Sequence, residues 1–155
     1  SDEAYLKIVL EHDNNRRVFE IPLAEEYGDT PMPPNVPTSV EFKVKLSDLK
    51  QPCMDLDKVC KTDRFKMIVS DDKLSIVSPS DSMTKYNQII DIESLGSAST
   101  TIQLNYMLEL QKLKDIDDII TFGMGDDMPL SWNIISVDEC VKCSGLIAPI
   151  LEEEV

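Results

Sequence analysis

From Val40 to Leu46 apolar and polar residues alternate. Val40, Phe42, Val44 and Leu46 fall on one face, with Lys43 and Lys45 on the other, a period of two that predicts a half-buried strand. The period then lengthens. Leu49, Cys53, Leu56 and Cys60 recur at spacings of four and three, which sets them on one helical face, with Lys50, Met54, Lys58 and Lys61 on a neighbouring stripe. Ser47 or Asp48 is the expected helix cap, and Pro52 is read as a first-turn proline. The β-rich runs Phe65–Val69, Leu74–Val77 and Tyr86–Ile92 are punctuated by Asp71-Asp72 and Pro79-Ser80-Asp81, and such short connections predict an antiparallel meander. After a small polar loop from Ser94 to Thr100, a short strand at Thr101–Leu104 leads into a second helix near Asn105–Lys114. Tyr106, Leu110 and Leu113 are its expected buried face, and Gln111, Lys112 and Lys114 point elsewhere. Asp118–Phe122, Pro129–Ser136 and a strand running into Leu146-Ile147 complete the series. The last two form a hairpin about the polar turn Val137–Lys142, stopped by Ala148-Pro149 ahead of an acidic tail.

The order is strand, helix, three strands, short strand, helix, three strands. This duplicated βαβββ pattern predicts an α+β fold in which two helices pack on one face of antiparallel sheet. The halves share element order without evident sequence identity. Upstream, Tyr5–Glu11 and Arg17–Leu23 flank His12-Asp13-Asn14-Asn15 and predict a separate hairpin. Between hairpin and repeat, Ala24–Pro37 holds four prolines and a glycine and reads as an extended, exposed connector, which composition alone makes an ordinary loop.

Composition narrows the function classes. The 155 residues suit one domain of ordinary size with a tail or linker, and 42% hydrophobic with 28% charged residues is the balance of a globular protein. Fifteen basic against 29 acidic side chains leave a net charge of −14, so any nucleic-acid contact must come from a local basic face. No apolar run approaches the ~18 residues of a membrane helix. A single histidine, His12, beside a turn gives nucleophile–histidine catalysis almost nothing to use. There is no Gly-rich phosphate loop, nucleophile elbow or HExxH motif. The paired acids Asp71-Asp72, Asp117-Asp118 and Asp126-Asp127 read as solvated turn residues. Cys140-Val141-Lys142-Cys143 has zinc-knuckle or redox spacing, but one such pair without a second or a histidine is a poor ligand set. Cys53 and Cys60 already fit a helical face, so reduced thiols, no metal and no cofactor are expected.

Three stretches resemble the DNA sliding clamps of eukaryotes and archaea, the proliferating cell nuclear antigen family. They are Phe19-Glu20-Ile21-Pro22-Leu23 before an acidic, proline-rich segment, the spacing Tyr106 to Lys112, and Met128-Pro129-Leu130 with Leu146-Ile147-Ala148-Pro149 before glutamates. The resemblance implies a DNA clamp fold and a non-enzymatic polymerase processivity factor acting in replication and repair, built as a trimeric or heteromeric ring around duplex DNA. It further implies residues 1–23 as the last hairpin of a mostly missing N-terminal domain, 24–38 as the interdomain connector and 39–155 as the C-terminal domain with its acidic tail. By the same resemblance Lys112, with Lys50, Lys58 and Lys61, faces DNA. Met32, Val36, Pro129, Leu146, Ile147, Ala148 and Pro149 line a groove for peptides of the form Gln-x-x-apolar-x-x-aromatic-aromatic. Such peptides come from polymerase, nuclease, ligase and clamp loader. Tyr86, Gln88 and Ile90 lie on the edge strand that meets the next protomer, with Lys85 and Asp91 able to blunt that edge, so the lone chain is expected to be a monomer or weakly associated. The implied setting is the nucleus if the source is eukaryotic, the cytoplasm if archaeal, or a viral replication site. Two other readings stay open: a checkpoint-type clamp subunit, and a zinc- or redox-dependent interaction protein using Cys140 and Cys143.

Overall fold

The computed structural model describes residues 4–23 and 35–151. The chain divides into two compact units, Ser1–Pro34 and Asn35–Val155. In the first, β1 (Tyr5–His12) and β2 (Asn15–Pro22) pair antiparallel from Tyr5↔Pro22 to His12↔Asn15. Asp13 adopts φ 53° at the reversal, a conformation that Asp tolerates better than most residues. The register aligns Leu6 with Ile21 and Ile8 with Phe19, so one side of the ribbon is apolar at the end away from the turn, although every residue of both strands is exposed.

The second unit runs β3 (Val40–Lys45), α1 (Leu46–Met54), β4 (Arg64–Ser70), β5 (Lys73–Val77), β6 (Asn87–Asp91), β7 (Ala98–Gln103), α2 (Leu104–Leu110), β8 (Ile119–Met124), β9 (Leu130–Ile135) and β10 (Lys142–Ile147). The βαβββ repeat is thus present, but its strands form two four-stranded sheets, ordered β10-β9-β8-β3 and β6-β5-β4-β7. Each half lends its first strand to the other: β3 pairs with β8 and β7 with β4. That exchange locks the halves together around one core, where Phe42 and Phe122 are register partners with ring centroids 5.7 Å apart. The alternation read from Val40, Phe42 and Val44 holds, all three being buried while Glu41, Lys43 and Lys45 are exposed.

Three local expectations need correction. The helix begins at Leu46 directly from β3, so Ser47 and Asp48 lie inside it. The cap is Asp118, whose main-chain oxygen accepts Leu46 N–H at 2.7 Å and whose carboxylate accepts Ser47 N–H at 2.9 Å and Ser47 Oγ–H at 2.7 Å. Pro52 consequently stands inside α1. Having no N–H, it leaves the Asp48 carbonyl without its helical donor, and the helix then opens into a wide π turn over Asp55–Val59. In α2 the buried positions are Leu104, Met107 and Leu110, with Leu113 partly buried, whereas Tyr106 is 46% exposed. The helix starts without a loop at the end of β7, and that entry, rather than the Tyr106–Leu110–Leu113 spacing, sets its phase. Its last turn tightens to 3₁₀ over Gln111–Asp115.

Candidate functional site

Four lysines are candidates for a helix face. Lys50 and Lys58 are both exposed. The wide turn between them absorbs an extra residue, so a sequence separation of eight spans about two turns and returns them to one stripe. Lys58 is 3.3 Å from Asp57 and Lys50 makes no ion pair among the described residues. Lys61 is displaced from that stripe: the helix has ended, Lys61 takes φ 53°, and Thr62 N–H reaches back to Leu56 C=O at 3.1 Å. A left-handed residue just past the last turn is a helix stop. Lys112 lies on the 3₁₀ turn after α2, its Nζ donating to both Glu109 carboxylate oxygens at 3.0 and 2.9 Å.

The groove candidates converge on β7. Its outer edge is covered by two segments: Asp126 Oδ1 accepts Ser99 N–H at 2.9 Å, Asp127 N–H donates to Ser99 C=O at 3.1 Å, Thr100 Oγ1 donates to the Met128 carbonyl at 3.3 Å, and Ile150 N–H donates to the Thr101 carbonyl at 2.7 Å. Pro129, half-buried, follows Met128, and Leu130 pairs with Ile147 across β9 and β10. Ile147 is buried, Leu146 is 37% exposed, Ala148 is exposed and Pro149 half-buried. The strap 147–150 therefore passes from the edge of one sheet to the edge of the other. Val36, half-buried, precedes Pro37, whose carbonyl oxygen lies within 3.2 Å of where a side chain on Gly125 would begin. Met32 lies outside the described residues.

Of the edge-strand candidates, Gln88 and Ile90 lie on β6, the outermost strand of its sheet. Tyr86 precedes β6 and is turned toward the π turn that follows α1: its hydroxyl donates to Asp55 Oδ2 at 2.8 Å, and burial together with that bond pushes the phenol above its ordinary pKa. Asp91 and Lys73, register partners, are joined at 2.7 Å. Lys85 donates to the Ser80 carbonyl at 2.5 Å.

All four cysteines are free, and burial pushes the Cys53 thiol up to about 12, which makes it inert. No group of three or more His, Cys, Asp or Glu able to hold a metal occurs among the described residues. Asp138 instead ties the β9–β10 turn, accepting from Ser136 Oγ at 2.6 Å and Cys140 N–H at 3.0 Å. Sequence reasoning missed Asp118 and Asp126, read as solvated acids, because their partners lie 71 and 27 residues away. It also missed Trp132, whose indole lies over Gly145 so closely that a Cβ there would fall 2.8 Å from Nε1. No described helix is long and apolar enough to cross a membrane.

No family model matches the chain. A DNA polymerase sliding clamp of Methanobrevibacter smithii is 28% identical over 157 residues, and that of Methanothermobacter thermautotrophicus 26% over 155. Each alignment takes in 99% of this chain, which spans 62% of the relative's length. Among solved structures, the proliferating cellular nuclear antigen of Entamoeba histolytica superposes with TM-score 0.75 at 12% identity, over 95% of this chain and 60% of the other. The PCNA2–PCNA3 complex of Sulfolobus tokodaii gives 0.74 at 18%, over 94% and 60%. In sequence the chain is similar to the DNA sliding clamps along nearly its whole length, and its fold is that of the proliferating cell nuclear antigens.

Proposed function

We propose that this chain is the C-terminal part of a DNA sliding clamp protomer, a non-enzymatic processivity factor whose ring encircles duplex DNA and recruits replication and repair proteins through short peptides. Residues 1–23 are the last hairpin of the preceding domain, 24–38 the connector and 39–155 the C-terminal domain. The observation that carries the reading is the meeting, beside β7, of the connector's end at Val36-Pro37, the Met128-Pro129 step and the strap Ile147–Ile150. Three segments distant in sequence there border one site that carries both apolar side chains and main chain, the requirements for holding an extended peptide with an aromatic anchor. The helix lysines supply loose, sequence-independent contact with phosphates. The outer edge of β6, which no other described strand pairs, joins the next protomer, of the same or a different kind, through Gln88 and Ile90. The curated relatives reported above are archaeal, which favours a cytoplasmic setting over a nuclear or viral one.

The test is an NMR titration of the isotope-labelled chain with a Gln-x-x-apolar-x-x-aromatic-aromatic peptide. Saturable shifts clustered at Val36, Met128–Leu130 and Leu146–Ile150 are expected. Shifts scattered elsewhere, or none at millimolar peptide, would overturn the reading.

A further inference from the structure

We propose that a cavity on the β6-β5-β4-β7 sheet takes an acidic side chain of a bound peptide. The inference extends the groove proposed above and rests on that reading for the rest of the peptide. The cavity has a volume of about 440 Å³. Its floor is one cross-strand row, Asn87↔Val77↔Lys66↔Thr101, which runs across all four strands. Directly paired residues share a face, so this row lies opposite the core face of Phe65, Met67 and Ile76. The loop from Ser78 to Tyr86 forms the rim and brings Lys85 to it.

Charge decides what fits. Lys66 and Lys85 line the cavity, and among the described residues no carboxylate does. Three other surface cavities each carry acids: Glu41, Asp91 and Glu93 in one, Asp57 and Asp63 in the next, Asp63 and Asp81 in the third. In a chain of net charge −14, a cavity whose charged lining, among the described residues, is cationic alone is the exception. Neither lysine has an ion-pair partner among the described residues. The rim loop's own carboxylate, Asp81, is taken by Arg64 at 3.0 Å, and among the described residues Lys85 meets only the neutral Ser80 carbonyl. Lys66 is half-buried between its partners Val77 and Thr101, where a charge gains most from an incoming anion.

Position points to a peptide as the source of that anion. The row ends at Thr101, whose carbonyl accepts Ile150 N–H of the strap at 2.7 Å, so the strap that borders the proposed groove is bonded to the end of the cavity's floor. A residue flanking the docked motif can reach the lysines while Val77 and Pro79 receive its methylenes.

Two peptides test this, both of the Gln-x-x-apolar-x-x-aromatic-aromatic form, one flanked on each side by two glutamates and the other by two glutamines. The acidic peptide is expected to bind the full chain about fivefold more tightly. That advantage should vanish in the K66Q/K85Q double variant and in high salt, while the double variant binds the glutamine peptide unchanged. Equal affinity of the wild-type chain for both peptides would overturn the proposal. If neither peptide binds, the groove reading fails separately, and millimolar phenyl phosphate decides the cavity. Shifts confined to Val77, Asn87 and Thr101 that disappear in the double variant support the site, and their absence overturns it.

Discussion

Asp118 closes the start of α1 from 71 residues away, its two carboxylate oxygens accepting Ser47 Oγ–H at 2.7 Å and Ser47 N–H at 2.9 Å. The residue sits just before β8, so the contact ties the first strand–helix junction of one half-repeat to the second half. Replacing Asp118 with Ala removes a side-chain cap and is expected to cost about 1 kcal/mol of unfolding free energy. The hydrogen bonds from Ser47 hold the Asp118 carboxyl below its usual pKa. A depressed value means that the stabilisation is present above the unfolded carboxyl pKa of ~3.9 and is lost as pH falls through the still lower folded value. Urea melts should therefore separate wild type from D118A at neutral pH and bring them together in acid. A gap that persists at the lowest pH would show that the carboxylate is not its source.

Trp132 and Gly145 are cross-strand partners, and the indole occupies the space that a side chain at 145 would need, with would-be contacts of 2.8 to 2.9 Å. Glycine is required here by close approach. Gly145→Val should push the ring outward and destabilise the domain by about 2 kcal/mol. Trp132 is the only tryptophan, so its emission reports the displacement: a red shift is expected in the native variant, and an unchanged spectrum would mean that the ring is not seated as described.

Tyr86 reaches the helix layer through Asp55, which also accepts from Gln51 Nε2 at 2.8 Å. Tyr86→Phe should cost about 1 kcal/mol, the net worth of one such bond. Because the phenol pKa is raised in the folded state, this contribution is complete below the ordinary phenol value of ~10 and is lost only as pH rises through the folded one. Unfolding of Y86F and wild type should thus differ by a constant amount from neutral pH to pH ~10. Convergence well below that would contradict the assigned bond.

How far the sequence could be read depends on the range of the interaction concerned. Strand periodicity at Val40–Val44 and the apolar face of Leu49, Cys53 and Leu56 are local, and they agree with the observed burial. The exchange of β3 and β7 between sheets is not local; nothing in either strand names its partner. Nor does the local pattern reveal that Asp118 and Asp126 serve backbone donors in other elements, so both read as ordinary turn acids. Tyr106 was misplaced because the helix phase is fixed by its junction with β7. Pro52 was misplaced because a distant cap allowed the helix to begin earlier than its own residues announce. At the groove, Pro129 and Leu146–Pro149 could be chosen only by resemblance, since an apolar edge and a strand terminator look alike in one sequence.

Glu109 and Lys112 form an ion pair at 2.9 Å. Both are largely exposed, at 65% and 70%, and such a pair three residues apart on a helix contributes only about 0.3–0.5 kcal/mol. The contact is weak enough to yield to a phosphate, yet the carboxylate still cancels the lysine's charge on the face where DNA is proposed to lie. Glu109→Gln should therefore tighten binding of a fluorescein-labelled duplex by about two- to threefold at low salt, with the gain fading as screening increases. Lys112→Gln should weaken it and reduce the magnitude of the slope of log K against log salt by about one. Both are read by fluorescence anisotropy across a salt series, with circular dichroism confirming that each variant remains folded. If E109Q leaves affinity unchanged while K112Q still lowers it, Glu109 does not restrain the lysine; if neither matters, the helix face is not where DNA binds.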